Sequence, residues 1–133
     1  MTTTDALKKY KKIAVIGFSN KPYRDSNRIA VYMQNAGYIV YGVNPGLGGK
    51  IIDGIKCYTK LSDITDTIEI INVFRNPDAL PELINEIMNL PYKPEVIWTQ
   101  LGVINQDAKK KANENGFEYI ENKCIYVEHK LYI

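Results

Sequence analysis

Short apolar segments alternate with amphipathic segments along almost the whole chain, and this alternation is the feature that most constrains the fold. Residues 13–16 form a continuous apolar run that stops at Gly17, as expected for a strand buried on both faces. Comparable runs lie at residues 38–43, 68–74, 96–98 and 117–120. Because helical patterns separate these runs, the sequence predicts an α/β protein with a five-stranded, mostly parallel sheet and helices on both faces.

Capping residues predict where the helices begin and end. Ser26 can cap a helix that Gly37 ends, and Asn105 can cap a helix that Gly116 ends. Asn76 and the proline after it form a third helix start. The glycine-rich segment 46–57 is predicted to be irregular, with room for a small hairpin.

Length and charge restrict the function classes. The 133 residues fit one domain, which we place at residues 12–133 after an N-terminal lead-in of residues 1–11. A net charge of +2 gives no reason to expect nucleic acid, and no apolar run is long enough to cross a membrane. Two cysteines and one histidine make a zinc site improbable. We therefore expect a soluble, cytoplasmic protein without nucleic-acid or membrane partners.

The loop after the first strand departs from the dinucleotide-binding pattern GxGxxG. Gly17 supplies the first glycine, whereas Ser19 and Pro22 occupy the other two positions. The second strand ends at Asn44, where NAD-binding proteins place an acidic residue. Both departures disfavour ordinary NAD binding.

The same loop nevertheless has the chemistry of a phosphate site. It leads into a helix N-terminus, whose amides and dipole favour anions. Lys21 and Arg24 add positive charge, and Ser19 and Ser26 add hydroxyl donors. The alternative is a solvated turn in which Ser26 only caps the helix.

Four motifs at the ends of predicted strands resemble a known family: residues 16–22 (IGFSNKP), 43–46 (VNPG), 72–77 (NVFRNP) and 98–103 (WTQLGV). They are similar to the stand-alone CoA-binding-domain proteins, which are small relatives of the N-terminal domain of the succinyl-CoA synthetase α subunit. The similarity extends from about Lys12 to Lys130. It implies a Rossmann-like three-layer fold that binds CoA or acyl-CoA across the carboxyl ends of the strands.

The resemblance also implies which residues contact the ligand, one group for each strand. These are Gly17, Phe18, Ser19 and Asn20 in the first loop, Asn44 and Pro45 in the second, Phe74 and Arg75 in the third, and Thr99, Gln100 and Gly102 in the fourth.

The chain departs from the synthetase at two positions and in its extent. Leu47 takes the place of a lysine within the synthetase's Pro-Gly-x-Gly-Gly segment, and Lys50 lies three residues further on, so we count Lys50 among the candidate contacts. The synthetase's Asn-Cys pair appears as Asn122 and Cys124 with one residue between them. Cys124 either faces the CoA thiol or is a buried, inert cysteine. The phosphohistidine domain is missing, so ligase activity is not implied.

The leading hypothesis is non-catalytic binding of CoA or acyl-CoA by a carrier, sensor or regulator. No nucleophile, base and acid can be assembled from the loops, so we expect that the protein is not an enzyme. One alternative is a small NAD(P)-linked or CoA-thioester enzyme. Another is a protein-interaction module with a vestigial nucleotide pocket. A protein partner or a homodimer is compatible with each hypothesis.

Overall fold

The computed structural model describes residues 1–133, which form seven strands and five α-helices. In chain order these are α1 (Thr3–Lys9), β1 (Lys12–Ile16), α2 (Asp25–Asn35), β2 (Ile39–Val43), β3 (Ile51–Ile52), β4 (Ile55–Tyr58), β5 (Ile70–Val73), α3 (Leu80–Met88), β6 (Val96–Thr99), α4 (Gln106–Glu114), β7 (Glu118–Ile120) and α5 (Ile125–Tyr132). Short 3-10 turns lie at Leu61–Asp63 and Pro77–Ala79. None of the helices is both long and apolar enough to span a membrane.

The strands form one sheet in the order β3-β4-β2-β1-β5-β6-β7, and every pair except β3–β4 is parallel. In β1, Ile13 pairs with Val40 on one side and with Ile70 on the other. The chain proceeds outward from β1 through β2 to one edge, then returns to β5 and continues to the other edge. β1 and β5 are neighbours in the sheet, but the chain leaves them toward opposite edges. The loops that follow these two strands therefore diverge above the middle of the sheet.

Helices cover both faces of the sheet, as the sequence predicts. Ile13 and Val15 point to the face that α1, α2 and α5 cover. Ala14 and Ile16 point to the opposite face, which α3 and α4 cover. Because both faces are buried, the central strands need apolar residues at successive positions. The result is a three-layer α/β fold of the Rossmann-like class.

The prediction of five strands was wrong, because segment 46–57 contributes two more. β4 pairs in parallel with β2, and β3 pairs with β4 through a tight hairpin in which Asp53 takes a φ of +51°. The two strands contain only two and four residues. Strands this short show no periodicity from which their membership of the sheet could be predicted.

The N-terminal segment set apart as a lead-in contains helix α1. The Thr2 hydroxyl accepts a hydrogen bond from the Asp5 amide, and the Asp5 carboxylate accepts one from the Thr2 amide. This reciprocal cap orders the first turn. Ala6 and Leu7 are fully buried in the same cluster as Ile13, so the N-terminal segment packs against the domain core through α1.

Asn105 is confirmed as the cap of α4, and Asn76 caps the 3-10 turn that leads into α3. Asn76 accepts a hydrogen bond from the Asp78 amide, and Asn105 accepts one from the Ala108 amide. Ser26, in contrast, is not a cap: α2 begins one residue earlier, after Arg24, which makes no side-chain cap bond. Ser26 lies inside the first turn and is buried.

Candidate functional site

The loops that separate over the middle of the sheet leave a crevice at its carboxyl edge. Gly17 follows β1 with a φ of +87°, and a Cβ on it would lie 2.2 Å from the Phe74 carbonyl oxygen. The two loops touch at this point, directly after their strands, and only glycine permits so close an approach. Ligands of open parallel sheets bind at such a reversal of strand order, so the crevice is the first place to seek a site.

A polar cavity of about 700 Å³ opens above the loop after β1. Its walls include all seven residues that the sequence predicts for the first loop, together with one residue after β2 and one after β5: Gly17, Phe18, Ser19, Asn20, Lys21, Arg24, Ser26, Asn44 and Phe74. Tyr23 and Asp25 complete it. The structure thus brings nine of the predicted residues to one cavity.

Backbone amides without partners concentrate at this polar cavity. The amides of Gly17 and Phe18 both donate to the Val43 carbonyl, and are therefore already engaged. Those of Ser19 and Asn20 make no hydrogen bond within the chain. The first two amides of α2 are likewise free, because a helix start leaves them without a carbonyl. Free amides at a helix N-terminus are typical of phosphate-binding loops.

Positive charge at the polar cavity is not neutralised by the protein. Lys21 and Arg24 are exposed and make no ion pair within the chain. The one carboxylate of the cavity, Asp25, is paired with Arg28 one turn further along α2. The remaining charge is positive, so the cavity is suited to an anionic group.

The floor of the polar cavity is fixed by the end of β2. The Asn44 Nδ2 donates to the Phe18 carbonyl over 2.8 Å, and the Asn44 Oδ1 accepts from the Gly46 amide over 2.8 Å. The loop after β1 is also held from α2, because the Asn27 Nδ2 donates to the Ser19 carbonyl. Asn44 therefore supports the loop by donating from its side-chain amide. A carboxylate at this position has no N–H and could not make that hydrogen bond.

An apolar cavity of about 690 Å³ adjoins the polar one, and Phe74 and Asp25 line both. It runs between α2, the β6–α4 loop and the start of α5. Its other walls are mostly apolar or aromatic side chains: Arg28, Ile29, Tyr32, Gln100, Leu101, Val103, Cys124 and Tyr126.

Gln100 lines the apolar cavity and holds an unsatisfied buried oxygen. Its side chain is 8% exposed, and its Oε1 has no hydrogen-bond partner. Leaving a buried carbonyl oxygen without a donor costs about 1–3 kcal/mol. Because this oxygen is itself inaccessible, a bound N–H donor would remove the cost only after the Gln100 side chain rotates toward the cavity.

The loops after β6 and β7 are joined by polar contacts that close the far side of the apolar cavity. Thr99 is fully buried, and its Oγ1 accepts from the Asn122 amide over 3.0 Å. The Asn122 Oδ1 accepts from the Gly102 amide over 2.8 Å. The Trp98 indole N–H donates to the Lys123 carbonyl over 2.9 Å. These contacts place Cys124, the next residue, against the apolar cavity.

Five predicted contact residues lie outside both cavities. Thr99 and Gly102 are among those that join the β6 and β7 loops. Pro45 and Lys50 are exposed on the β2–β3 connection, and Arg75 is half-buried beyond Phe74. None of the five lines the polar or the apolar cavity.

Several lining residues were missed by the sequence analysis. Ile29 and Tyr32 could have been found, because they lie three and six positions after Ser26 on the apolar side of a helix that was predicted. Tyr126 could not, since it belongs to α5, a helix that the pattern did not reveal.

The two cysteines differ in their surroundings. Cys57 lies inside the core, its Sγ donates to the Ile55 carbonyl, and burial raises the pKa of its thiol. Cys124 is also buried, but it borders the apolar cavity. No group of three or more His, Cys, Asp or Glu side chains is placed to hold a metal ion.

Comparisons with known proteins agree with this geometry. A sequence profile described as CoA binding domain matches residues 11–130. An uncharacterized Bacillus subtilis protein, YneT, is 35% identical over 125 residues, which are 94% of this chain and 90% of that protein.

Solved structures of similar proteins also match this chain over nearly its whole length. A hypothetical protein from Pyrococcus horikoshii superposes with a TM-score of 0.87 at 37% identity, over 98% of this chain and 91% of that chain. A Thermus thermophilus protein superposes with a TM-score of 0.92 at 30% identity over the whole of both chains. The chain therefore belongs to the CoA-binding domain family.

Proposed function

We propose that the protein binds CoA or an acyl-CoA in the crevice at the carboxyl ends of its strands, with the nucleotide phosphates in the polar cavity. The observation that carries this proposal is the set of free amides at Ser19, Asn20 and the start of α2, beside the unpaired side chains of Lys21 and Arg24. CoA carries a pyrophosphate and a further phosphate. Its nucleotide end therefore needs such a concentration of donors and positive charge.

The adjoining apolar cavity supports CoA over a simple nucleotide. The two cavities meet at Phe74, and CoA combines an anionic nucleotide with a long, uncharged arm. A nucleotide alone would leave the apolar cavity unfilled.

We propose further that the protein acts as a carrier, sensor or regulator and not as an enzyme. The ionisable groups at the cavities are the phosphate-site cations, the Asp25–Arg28 pair, three tyrosines and one thiol. They include no general base next to a nucleophile, which most group-transfer reactions require.

The decisive experiment compares CoA with NAD. Ligand at about 100 times its dissociation constant adds ~2.7 kcal/mol to the free energy of unfolding, so CoA should raise the melting temperature by several degrees. NAD at equal concentration should change it little, because Asn44 cannot replace an acidic ribose ligand. Mass spectrometry of the denatured protein should also detect any CoA that copurifies. Equal stabilisation by NAD would favour the dehydrogenase-like alternative, and no stabilisation by either ligand would favour an interaction module.

A further inference from the structure

We propose that the apolar cavity receives the acyl group of a CoA thioester, and that it favours uncharged, apolar acyl groups over those that carry a carboxylate. This inference rests on the proposed binding of CoA in the polar cavity. It names the class of thioester that the same site would take.

The position of the apolar cavity matches the reactive end of the ligand. If the phosphates lie at the free amides near Ser19, the arm must leave past Phe74, where the two cavities meet. The apolar cavity alone, at about 690 Å³, is within the size range of sites for small organic molecules. It therefore has room for part of the arm and for an acyl group beyond it.

Gln100 is a polar residue in the wall of the apolar cavity, and its Oε1 is buried without a donor in the chain. A rotation of the Gln100 side chain would turn this oxygen toward the cavity. One of the two amide N–H groups of the pantetheine arm would then donate to it inside an otherwise apolar space. The sulfur and its acyl group would then lie further along the cavity, beside the other walls.

Those walls favour apolar groups. Ile29 and Val103 supply aliphatic surface, and Tyr32 and Tyr126 supply aromatic surface with a ring-centroid distance of 4.5 Å. Leu101 is 61% exposed at the edge of the cavity. An apolar acyl group would cover this leucine, so that the leucine side chain and the acyl group are both removed from water.

The charges at the apolar cavity disfavour a carboxylate. Arg28 is the only cation in its lining, and its guanidinium already donates to the Asp25 carboxylate and to the Tyr23 carbonyl. A ligand carboxylate would therefore lack a free cation and would lie near the negative charge of Asp25. Burying an ion without a partner is strongly unfavourable.

The test uses three probes that share the nucleotide and the arm: free CoA, butyryl-CoA and succinyl-CoA. The two acyl groups have the same number of carbons and differ by a terminal methyl or carboxylate. Each fully buried methylene raises affinity about fourfold. Isothermal titration should therefore give butyryl-CoA an affinity roughly tenfold or more above that of free CoA, with succinyl-CoA no tighter than free CoA.

Two leucine variants test the position of the acyl group. Leu101→Ser should reduce the preference for butyryl-CoA over free CoA by about threefold, because it removes apolar contact area at the cavity edge. Leu131→Ser is the matched control, since Leu131 is 65% exposed on α5 and lines neither cavity. That control should leave the preference unchanged. Melting temperatures of both variants check that they fold.

The outcomes separate this inference from the proposed function. If free CoA binds and butyryl-CoA is no tighter, the acyl group lies outside the apolar cavity and the inference is wrong. Succinyl-CoA that binds as tightly as butyryl-CoA overturns the charge argument and with it the proposed selectivity. If none of the three probes binds, the proposed function itself fails.

Discussion

The ring of Phe18 packs directly against the backbone of Gly42, so that a Cβ at position 42 would lie 2.6 Å from a ring carbon. Gly42 is in β2, and Phe18 is in the loop that begins the polar cavity. The buried ring anchors this loop, while the Asn44 side chain holds the Phe18 carbonyl. Because Gly42 has no side chain, it leaves room for the Phe18 ring, and this contact fixes the position of the candidate phosphate loop.

Gly42→Ala should destabilise the protein and weaken CoA binding together. The added methyl displaces the Phe18 ring, and overpacking of this kind costs about 1–3 kcal/mol. Moving the ring also moves the free amides of Ser19 and Asn20 away from their positions. Urea unfolding measures the loss of stability, and titration with CoA measures the loss of affinity.

Gly46→Ala is the control for this substitution. A Cβ at Gly46 would lie 3.5 Å from the Asn44 Oδ1, which is an ordinary contact. Its effect on unfolding should stay within about 0.5 kcal/mol. Equal destabilisation by the two variants would show that the contact between Phe18 and Gly42 is not the anchor of the loop.

The central part of the fold could be predicted because its strands are buried on both faces. The run at residues 13–16 and the matching run in β5 leave a strong signal, since successive positions must all be apolar. The caps at Asn76 and Asn105 follow from local chemistry, because an amide side chain satisfies a helix amide wherever it occurs. Most residues of the polar cavity could be predicted as candidates because nine of its eleven lining residues lie in one segment, between Gly17 and Ser26.

The apolar cavity could not be predicted in the same way, because its walls come from distant parts of the chain. Tyr126 reaches it only through α5, whose exposed Val127 and Leu131 obscure an amphipathic pattern. Cys124 reaches it through the contacts between the loops after β6 and β7. The small hairpin allowed in segment 46–57 is present as β3 and β4, but its membership of the sheet was not predicted, because it depends on the tertiary pairing of β4 with β2. Ser26 was assigned as a cap because the residue type fits, whereas the helix begins one residue before it.

His129 should make the free energy of unfolding fall as the pH drops below about 6.5. Burial, with a smaller effect of Lys11, lowers the pKa of His129 below its ordinary 6.5. Its Nδ1 lies 2.8 Å from the Tyr32 hydroxyl. The unfolded chain takes up the proton more readily, so protonation of His129 favours unfolding. The contribution of neutral His129 to the free energy of unfolding is therefore complete above the unfolded pKa. It is lost as the pH falls through the lower pKa of the folded state.

His129→Gln should flatten this dependence, since glutamine has an acceptor but no titrating ring. Urea unfolding at several pH values measures the free energy of both proteins. The paired carboxylate of Asp66 does not interfere, because the Lys12 ammonium holds the pKa of Asp66 below its ordinary 3.8. Identical pH profiles for the two proteins would assign the dependence to other groups.

Cys124 should exchange with CoA disulfide. Its thiolate would attack one sulfur of the disulfide, form a Cys124–CoA disulfide and release one free CoA. The apolar cavity lies where the sulfur end of CoA would reach, and Cys124 borders it. Mass spectrometry should show the addition of one CoA. Cys124→Ser should abolish it, and Cys57→Ser should not, since Cys57 lies in the core away from both cavities. Modification of neither cysteine would make Cys124 a packing residue only.

The double substitution Lys21→Ala with Arg24→Ala should weaken CoA binding roughly tenfold or more. Hydrogen bonds to charged groups contribute ~1.5–3 kcal/mol, and about 1.4 kcal/mol corresponds to a factor of ten. Both side chains are exposed and unpaired, so the fold should be retained. Added salt should weaken wild-type binding more than binding by the variant, because the lost contacts are ionic.

The matched control for this variant is Lys8→Ala with Lys9→Ala, which removes the same charge from α1. These lysines are exposed and lie just before β1, at the amino end of the strand and away from the polar cavity. Isothermal titration at two salt concentrations should show little change in CoA affinity for this control. A variant without Lys21 and Arg24 that keeps wild-type affinity would place the phosphates elsewhere. Lys50 and Arg75, the predicted cations outside both cavities, would then be the next residues to substitute, because no other predicted contact carries a positive charge.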